Sequence, residues 1–266
     1  GTYGNNGFYL DFKNSSNLGE DQSGNNHDFT LTNITSADQS TDTPTNNFCT
    51  LNSIFFNVGG TSGLTGNYMP ITEGGTLASN GGNNHYAATF ANMGVSSGKW
   101  YWEVKVATGT ANGYVTGIGV GYPYTWDTNY TFNHTTYNYD AVRYNASGAS
   151  SFGATYGNDD IIGLALDMDA STPTLTVYKN GTSQGNLYSG LSIGGTGTAY
   201  LPPKEDFYFP YATSYGARTL EFNFGGYTAA SISSAASDEN GYGTFEYAPP
   251  SGYLAICTKN LAENGG

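Results

Sequence analysis

The apolar residues of this chain alternate with polar ones over short stretches, and runs of Gly, Asn, Ser and Thr separate the stretches. A period of two means a strand with one buried face. Phe8-Tyr9-Leu10-Asp11-Phe12 predicts a first strand, Phe29 to Ile34 a second and Phe48-Cys49-Thr50-Leu51 a third, while residues 53–96 fit short edge strands and loop equally. The signal is strongest from Ser97. In SGKWYWEVKVA, Trp100, Trp102, Val104 and Val106 share one face, and Tyr101, Glu103 and Lys105 share the other. Residues 114–121, YVTGIGVG, predict a strand thinned by glycine where a neighbouring backbone or ring comes close. Ile161 to Leu166 is apolar on both faces, as a central strand covered on two sides is.

Leu175 to Tyr178 follows, then Asn180-Gly181, a dipeptide suited to the positive φ angles of a hairpin turn. Phe207 to Ala212 and Arg218 to Phe224 predict a further pair, the second with Leu220, Phe222 and Phe224 inward and Glu221 and Asn223 outward; Tyr253 to Cys257 closes the series. Short strands at this spacing predict an all-β, two-sheet antiparallel sandwich.

Composition sharpens this picture. Of 266 residues only 11% are charged, so solubility rests on Asn, Ser, Thr and Gly in place of the Glu, Lys and Arg that coat helical proteins. Lys+Arg 8 against Asp+Glu 21 gives a net charge of −13, which opposes binding to nucleic acid or to anionic membrane surfaces. No apolar run is long enough to cross a bilayer as a helix, so no membrane insertion is expected. The start, Gly-Thr-Tyr-Gly, reads as that of a processed product or a piece of a longer polypeptide. Cys49 and Cys257 lie in apolar strand-like contexts, where a thiol behaves as a small buried hydrophobe.

Candidate chemistry is sparse. A glycoside hydrolase on a sandwich needs two carboxylates across a cleft. Glu103 and Glu221 point outward from their strands and are the candidates for a polysaccharide-degrading enzyme, whereas Asp167 and Asp169 read as organisers of a turn. Asp21, Ser23, Asn25 and Asp28 offer oxygens around Gly24 as a Ca²⁺ loop does, without the closing bidentate Glu, and the same residues build an ordinary turn. His27, His85 and His134 are isolated and make no zinc pattern. The expected reading is therefore no cofactor and no catalysis, with Ca²⁺ as the one metal alternative.

The stretch GYPYTWDTNYTFNHTTYNYDAVRY, residues 121–144, is the most informative. Tyr122, Tyr124, Trp126, Tyr130, Tyr137 and Tyr139 alternate with Asn129, His134 and other short polar groups, the composition of a paratope. Rings give contact area at small entropic cost; they also cover sandwich edges, so the same residues read equally as packing.

The order SGKWYWEVKV, GIGVG, DIIGLALDMD, LTVYKNGTSQG and YFPYATSYGARTLEFNFG resembles the SPRY (B30.2-type) domain, a concanavalin-like jelly roll used for recognition. The resemblance covers about residues 97–226. The flanks NGFYLDFKNSSNLGEDQSGNNHDFTLTNI, DTPTNNFCTLN and PPSGYLAICTKNL are similar to segments of virion proteins of tailed bacteriophages, tail fibres or spikes of marine phages among them. The resemblance implies one sandwich over residues 1–258: flanking strands and loops at 1–96, a SPRY-like core at 97–226 and a closing segment at 227–258, with a linker at 259–266. It further implies a non-enzymatic recognition module on the surface of a virion, displaying the rings of 122–139 to a host-surface glycan or outer-membrane protein. Other virion subunits are further partners, and a homotrimer follows by family analogy. A structural or decoration role in a capsid is the alternative.

Overall fold

The structure, a computed structural model, describes residues 2–39, 42–54, 69–81, 86–109, 116–121, 134–145, 148–189 and 207–265. It divides into two compact units, Gly1–Thr41 and Asp42–Gly266. The boundary falls inside the segment read as the flank of a single sandwich.

The first unit holds a 3-10 turn, Ser36–Asp38, and among its described residues no strand. Phe8–Phe12 and Phe29–Ile34 are therefore not the strands that their alternation predicts. Phe12 and Asn33 take left-handed φ values of 54° and 57°, which interrupt an extended run. The backbone partners are turns and a side chain instead of a neighbouring strand: Tyr9 N–H donates to Asp21 Oδ1 at 2.8 Å, Gln22 N–H to Tyr9 O at 2.8 Å and Phe29 N–H to Gly19 O at 2.8 Å.

The second unit is a two-sheet sandwich. Its strands are β1 (Ile71–Thr72), β2 (Leu77–Asn80), β3 (Tyr86–Phe90), β4 (Lys99–Gly109), β5 (Thr116–Gly121), β6 (His134–Asn138), β7 (Val142–Asn145), β8 (Gly148–Ser151), β9 (Ile161–Asp167), β10 (Thr174–Lys179), β11 (Thr182–Ser189), β12 (Phe209–Tyr215), β13 (Arg218–Asn223) and β14 (Leu254–Ala255). One sheet runs β1-β2-β13-β4-β9-β10-β11, and β14 lies parallel to β4 beside Trp100 and Tyr101. The other runs β3-β12-β5-β6-β7-β8, and its pairings are antiparallel.

Trp100, Trp102, Val104, Ile162, Leu164, Leu166, Leu220 and Phe222 from the first sheet meet Ile118, Val120, Tyr137 and Ala212 from the second in one core. The glycines of β5 serve the close approach expected of them, because a Cβ on Gly119 would collide with the Thr135 carbonyl of β6. Asn180 and Gly181, with φ 47° and 75°, make the hairpin turn between β10 and β11.

The outer face of the first sheet is covered as well. Tyr101 and Ala165, which point away from the main core, pack with Phe48, Phe245, Ala255 and Cys257 in a second cluster, and the Phe245 ring meets Tyr101 edge-on at 5.2 Å. The chain entering the unit pairs here with the chain leaving it: Phe48 and Cys257 form an antiparallel bridge, and Cys49 N–H donates to Ile256 O at 2.9 Å. Cys49 and Cys257 are both buried free thiols, and burial pushes the Cys49 thiol up to about 12. Residues 259–266, expected as a linker, instead carry most of helix α1 (Thr258–Asn264). Its buried Asn260 donates to Asp238 Oδ2 at 2.8 Å and to Ala255 O at 2.9 Å, tying the helix to the strap that covers the sheet.

Candidate recognition surface

β5 ends at Gly121 and β6 begins at His134, and these two residues are register partners. Residues 122–133 are thus the link between two paired strand ends. Phe209, the first residue of β12, also pairs with Gly121, and Phe207 just before it is exposed. Tyr122, Tyr124, Trp126, Asn129 and Tyr130 belong to this link and lie outside the described residues, as does the side chain of His134.

Tyr137 and Tyr139 do not join them. β6 carries the chain five residues onward, about 17 Å, to the opposite end of the sheet. Tyr137 points inward and is fully buried; its hydroxyl donates to Ala154 O, its ring packs against Phe152 at 5.4 Å and Tyr156 at 4.9 Å, and burial raises it to about 12. Tyr139 is half-buried in the turn that follows, its ring 5.7 Å from the Arg218 guanidinium carbon. Strand geometry thus sends Tyr137 into the core and leaves Tyr139 in the turn at the far end of β6 from His134.

Of the two carboxylates proposed for hydrolysis, Glu103 is fully engaged, whereas Glu221 Oε2 is buried without a hydrogen-bond partner. Glu103 faces away from the main core, as alternation predicts, yet it is 2% exposed because the strap 227–257 lies over it. Its Oε1 accepts from Tyr247 N–H at 2.8 Å and Tyr101 OH at 3.1 Å; its Oε2 accepts from Glu246 N–H at 2.9 Å and Asn223 Nδ2 at 3.1 Å. Burial raises its pKa in spite of these four donors. Glu221 is only partly exposed and stands 3.9 Å from Lys105 Nζ. A buried carboxylate with every oxygen engaged is a structural clamp and offers no face to a sugar.

Asp167 and Asp169 organise a turn as expected. Asp167 Oδ1 accepts from Asp169 N–H and Ala170 N–H at 3.0 Å each, and Asp169 Oδ1 accepts from Gly98 N–H at 2.7 Å.

The Ca²⁺ alternative meets similar competition. Asp21 Oδ1 accepts from Tyr9 N–H and Ser23 N–H at 2.8 Å each, and Oδ2 from Ser23 Oγ at 2.7 Å and His27 N–H at 3.0 Å. Burial pushes this carboxyl up, and the donors, led by Tyr9 N–H, outweigh it and hold the group well below the usual carboxylate range. Asp28 Oδ1 accepts from Asp21 N–H at 2.8 Å, while the Asn25 amide donates to Gly4 O and Gly7 O. A cation would have to displace N–H donors already in place, so the loop is built as a turn. Among the described residues no three His, Cys, Asp or Glu side chains gather as metal ligands, and no helix is long and apolar enough to cross a membrane.

Arg218 was not singled out by sequence reasoning, although a signal was present. It stands two residues before Leu220 and four before Phe222, which places it on the inward face of β13. It is 3% exposed.

The described strands thus form a two-sheet β-sandwich whose first sheet is covered on its outer face, with an aromatic-rich link between the paired ends Gly121 and His134. The SPRY domain family model matches residues 99–227. SPRY domains are recognition modules that mediate protein–protein interactions and are generally non-catalytic. Among solved structures, the chain is similar to the SPRY domain of human HERC1, with 19% identity, a TM-score of 0.44, and coverage of 57% of this chain and 90% of that one. A comparison with curated proteins found no match.

Proposed function

We propose that the chain is the recognition module of a tailed-bacteriophage virion protein, a tail fibre or spike, that contacts a host-surface glycan or outer-membrane protein during adsorption. The observation that carries this reading is the position and composition of residues 122–133: YPYTWDTNYTFN links the paired ends Gly121 and His134 on a braced sheet. Tyr and Trp rings bring contact area and stack on sugar or side-chain surfaces, and Asn and Thr adapt their hydrogen bonds. Such a surface carries little charge, so binding changes little with salt. Several copies on one particle, as in a trimeric fibre, convert weak single contacts into firm adsorption through effective concentration.

The test is binding of the chain to intact host cells with and without Tyr124→Ala and Trp126→Ala together. Adsorption through this link requires the double variant to lose binding while its thermal midpoint stays put. Undiminished binding by that variant removes the proposed surface.

A further inference from the structure

The loop of the first unit that offers oxygens in the manner of a Ca²⁺ site directs its polar side chains elsewhere. Asp21 Oδ1 accepts from the backbone of Tyr9 at 2.8 Å, and the Asn25 amide donates to Gly4 O at 2.6 Å and to Gly7 O at 2.8 Å. His27 Nε2 donates to Asn5 O at 3.0 Å. All three therefore grip one short segment, residues 3–9. That segment is a tight loop: Gly4 has a left-handed φ of 63°, Gly7 N–H turns back to Gly4 O at 3.4 Å, and a Cβ on Gly7 would strike the Tyr3 carbonyl.

The two feet of the loop meet as a result. The Tyr3 and Tyr9 rings stack with centroids 5.6 Å apart and planes 6° from parallel, yet the residues stay 40% and 44% exposed. Core packing does not account for this, since neither ring enters a core. Phe8 turns to Phe29 instead, edge-on at 4.8 Å, so the tyrosines stand as a pair of their own. At the tip of the loop Asn5 and Asn6 are exposed, and their side-chain amides have no partner among the described residues.

The geometry points to a carbohydrate site on the first unit, in which the C–H face of one neutral pyranose lies on the Tyr3–Tyr9 pair and its hydroxyls reach the Asn5 and Asn6 amides. Size favours this guest: the two residues together expose under about 200 Å², enough for a single sugar ring, whereas a protein interface needs about 800 Å² from each partner. Charge favours a neutral one. Lys13 is the only Lys or Arg in residues 1–41 and already stands 3.5 Å from Asp11, so no free cation is there to hold a sialic or uronic acid. The available groups are aromatic faces, which attract C–H, and amides, which both donate and accept, and they match a guest with one apolar face and a rim of hydroxyls. This site belongs to the first unit and the 122–133 link to the second, so either can fail without the other.

The experiment is saturation-transfer NMR on the full chain with the methyl glycosides of glucose, galactose, mannose and N-acetylglucosamine at millimolar concentration, beside glucuronic acid and N-acetylneuraminic acid. At least one neutral glycoside should show transfer concentrated on the protons of one ring face, and the acids should show none. Tyr3→Ala removes half of the stack and should weaken apparent affinity roughly three- to tenfold. Tyr3→Phe keeps the ring and should keep binding. The Tyr3 side chain makes no hydrogen bond, so amide protection at Tyr9 and Ser23 should be the same in both variants, which separates lost stacking from a lost fold. The Tyr124→Ala and Trp126→Ala double variant should bind as the wild type does. Absence of transfer to every neutral glycoside, acids bound as well as neutral sugars, or Tyr3→Ala indistinguishable from wild type overturns the site; so does loss in the Tyr124 and Trp126 variant alone, which assigns the sugar to the link.

Discussion

Removing the Glu103 carboxylate should loosen the strap more than any other single polar change on the outer face of the first sheet. In Glu103→Ala, the N–H groups of Glu246 and Tyr247 lose the acceptors that stand at 2.9 and 2.8 Å. Asn223 Nδ2 keeps Thr244 O at 2.9 Å, so it is not orphaned. Two buried donors left without partners cost about 1–3 kcal/mol each, or about 4 kcal/mol together. For a unit of this size that lowers Tm by roughly 8–16 °C.

Glu103→Gln is the sharper test. The amide nitrogen is best placed toward Oε1, where Tyr101 OH can turn round and accept from it, which leaves the Tyr247 N–H unpartnered. The cost should be about half that of alanine. The pH dependence follows from the raised pKa: stability from this group is complete below the ordinary Glu value of about 4.3 and is lost as pH rises through the higher folded value. Glu103→Gln should abolish that component. Urea unfolding across pH, with amide exchange read at residues 246 and 247, makes the measurement. A loss below about 1 kcal/mol in Glu103→Ala, or unchanged exchange at both amides, refutes the clamp.

Trp100 is fully buried with its indole N–H on Ser97 O at 2.6 Å, and Trp100→Ala should cost about 3–5 kcal/mol, read as a lower urea midpoint at unchanged slope. Asn260→Ala removes the bonds to Asp238 and Ala255 and should free α1 at a cost of about 1–3 kcal/mol, seen as new proteolytic cleavage within Thr258–Asn264. In the first unit the lowered pKa of Asp21 means its contribution is complete above the ordinary Asp value of about 3.9 and is lost only as pH falls toward the depressed folded value. Amide protection at Tyr9, Ser23 and His27 should therefore survive mild acid in the wild type and vanish at neutral pH in Asp21→Asn.

The strands with strict alternation or a doubly apolar run, β4, β9 and β13, were legible because burial on one or two faces leaves that imprint on composition. β6 to β8 were not: HTTYN buries Thr135, Thr136, Tyr137 and Asn138 yet carries no aliphatic residue to mark it, and GASS is an exposed edge strand. Alternation also told which face Glu103 takes but not that the face is covered, because the cover comes from residues more than a hundred positions later. The failures at Phe8–Phe12 and Phe29–Ile34 have the opposite cause. Their pattern suits a strand, but Tyr9 N–H finds the side-chain acceptor Asp21 and Phe29 N–H the turn carbonyl of Gly19 in place of a neighbouring strand. Of the candidate site, the link was found by composition and its attachment points by topology; the inward fate of Tyr137 could have been read from its alternation with Thr136 and Asn138 only once the strand itself was known.

The bridge between Phe48 and Cys257 has an architectural consequence. A unit whose entrance and exit touch adds almost nothing to the distance a polypeptide travels through it. Domains with adjacent ends accept insertion into host loops and circular permutation with little disturbance. Tension applied between residues 48 and 257 would pass across the Phe48–Cys257 contact and leave the sandwich beyond it unloaded.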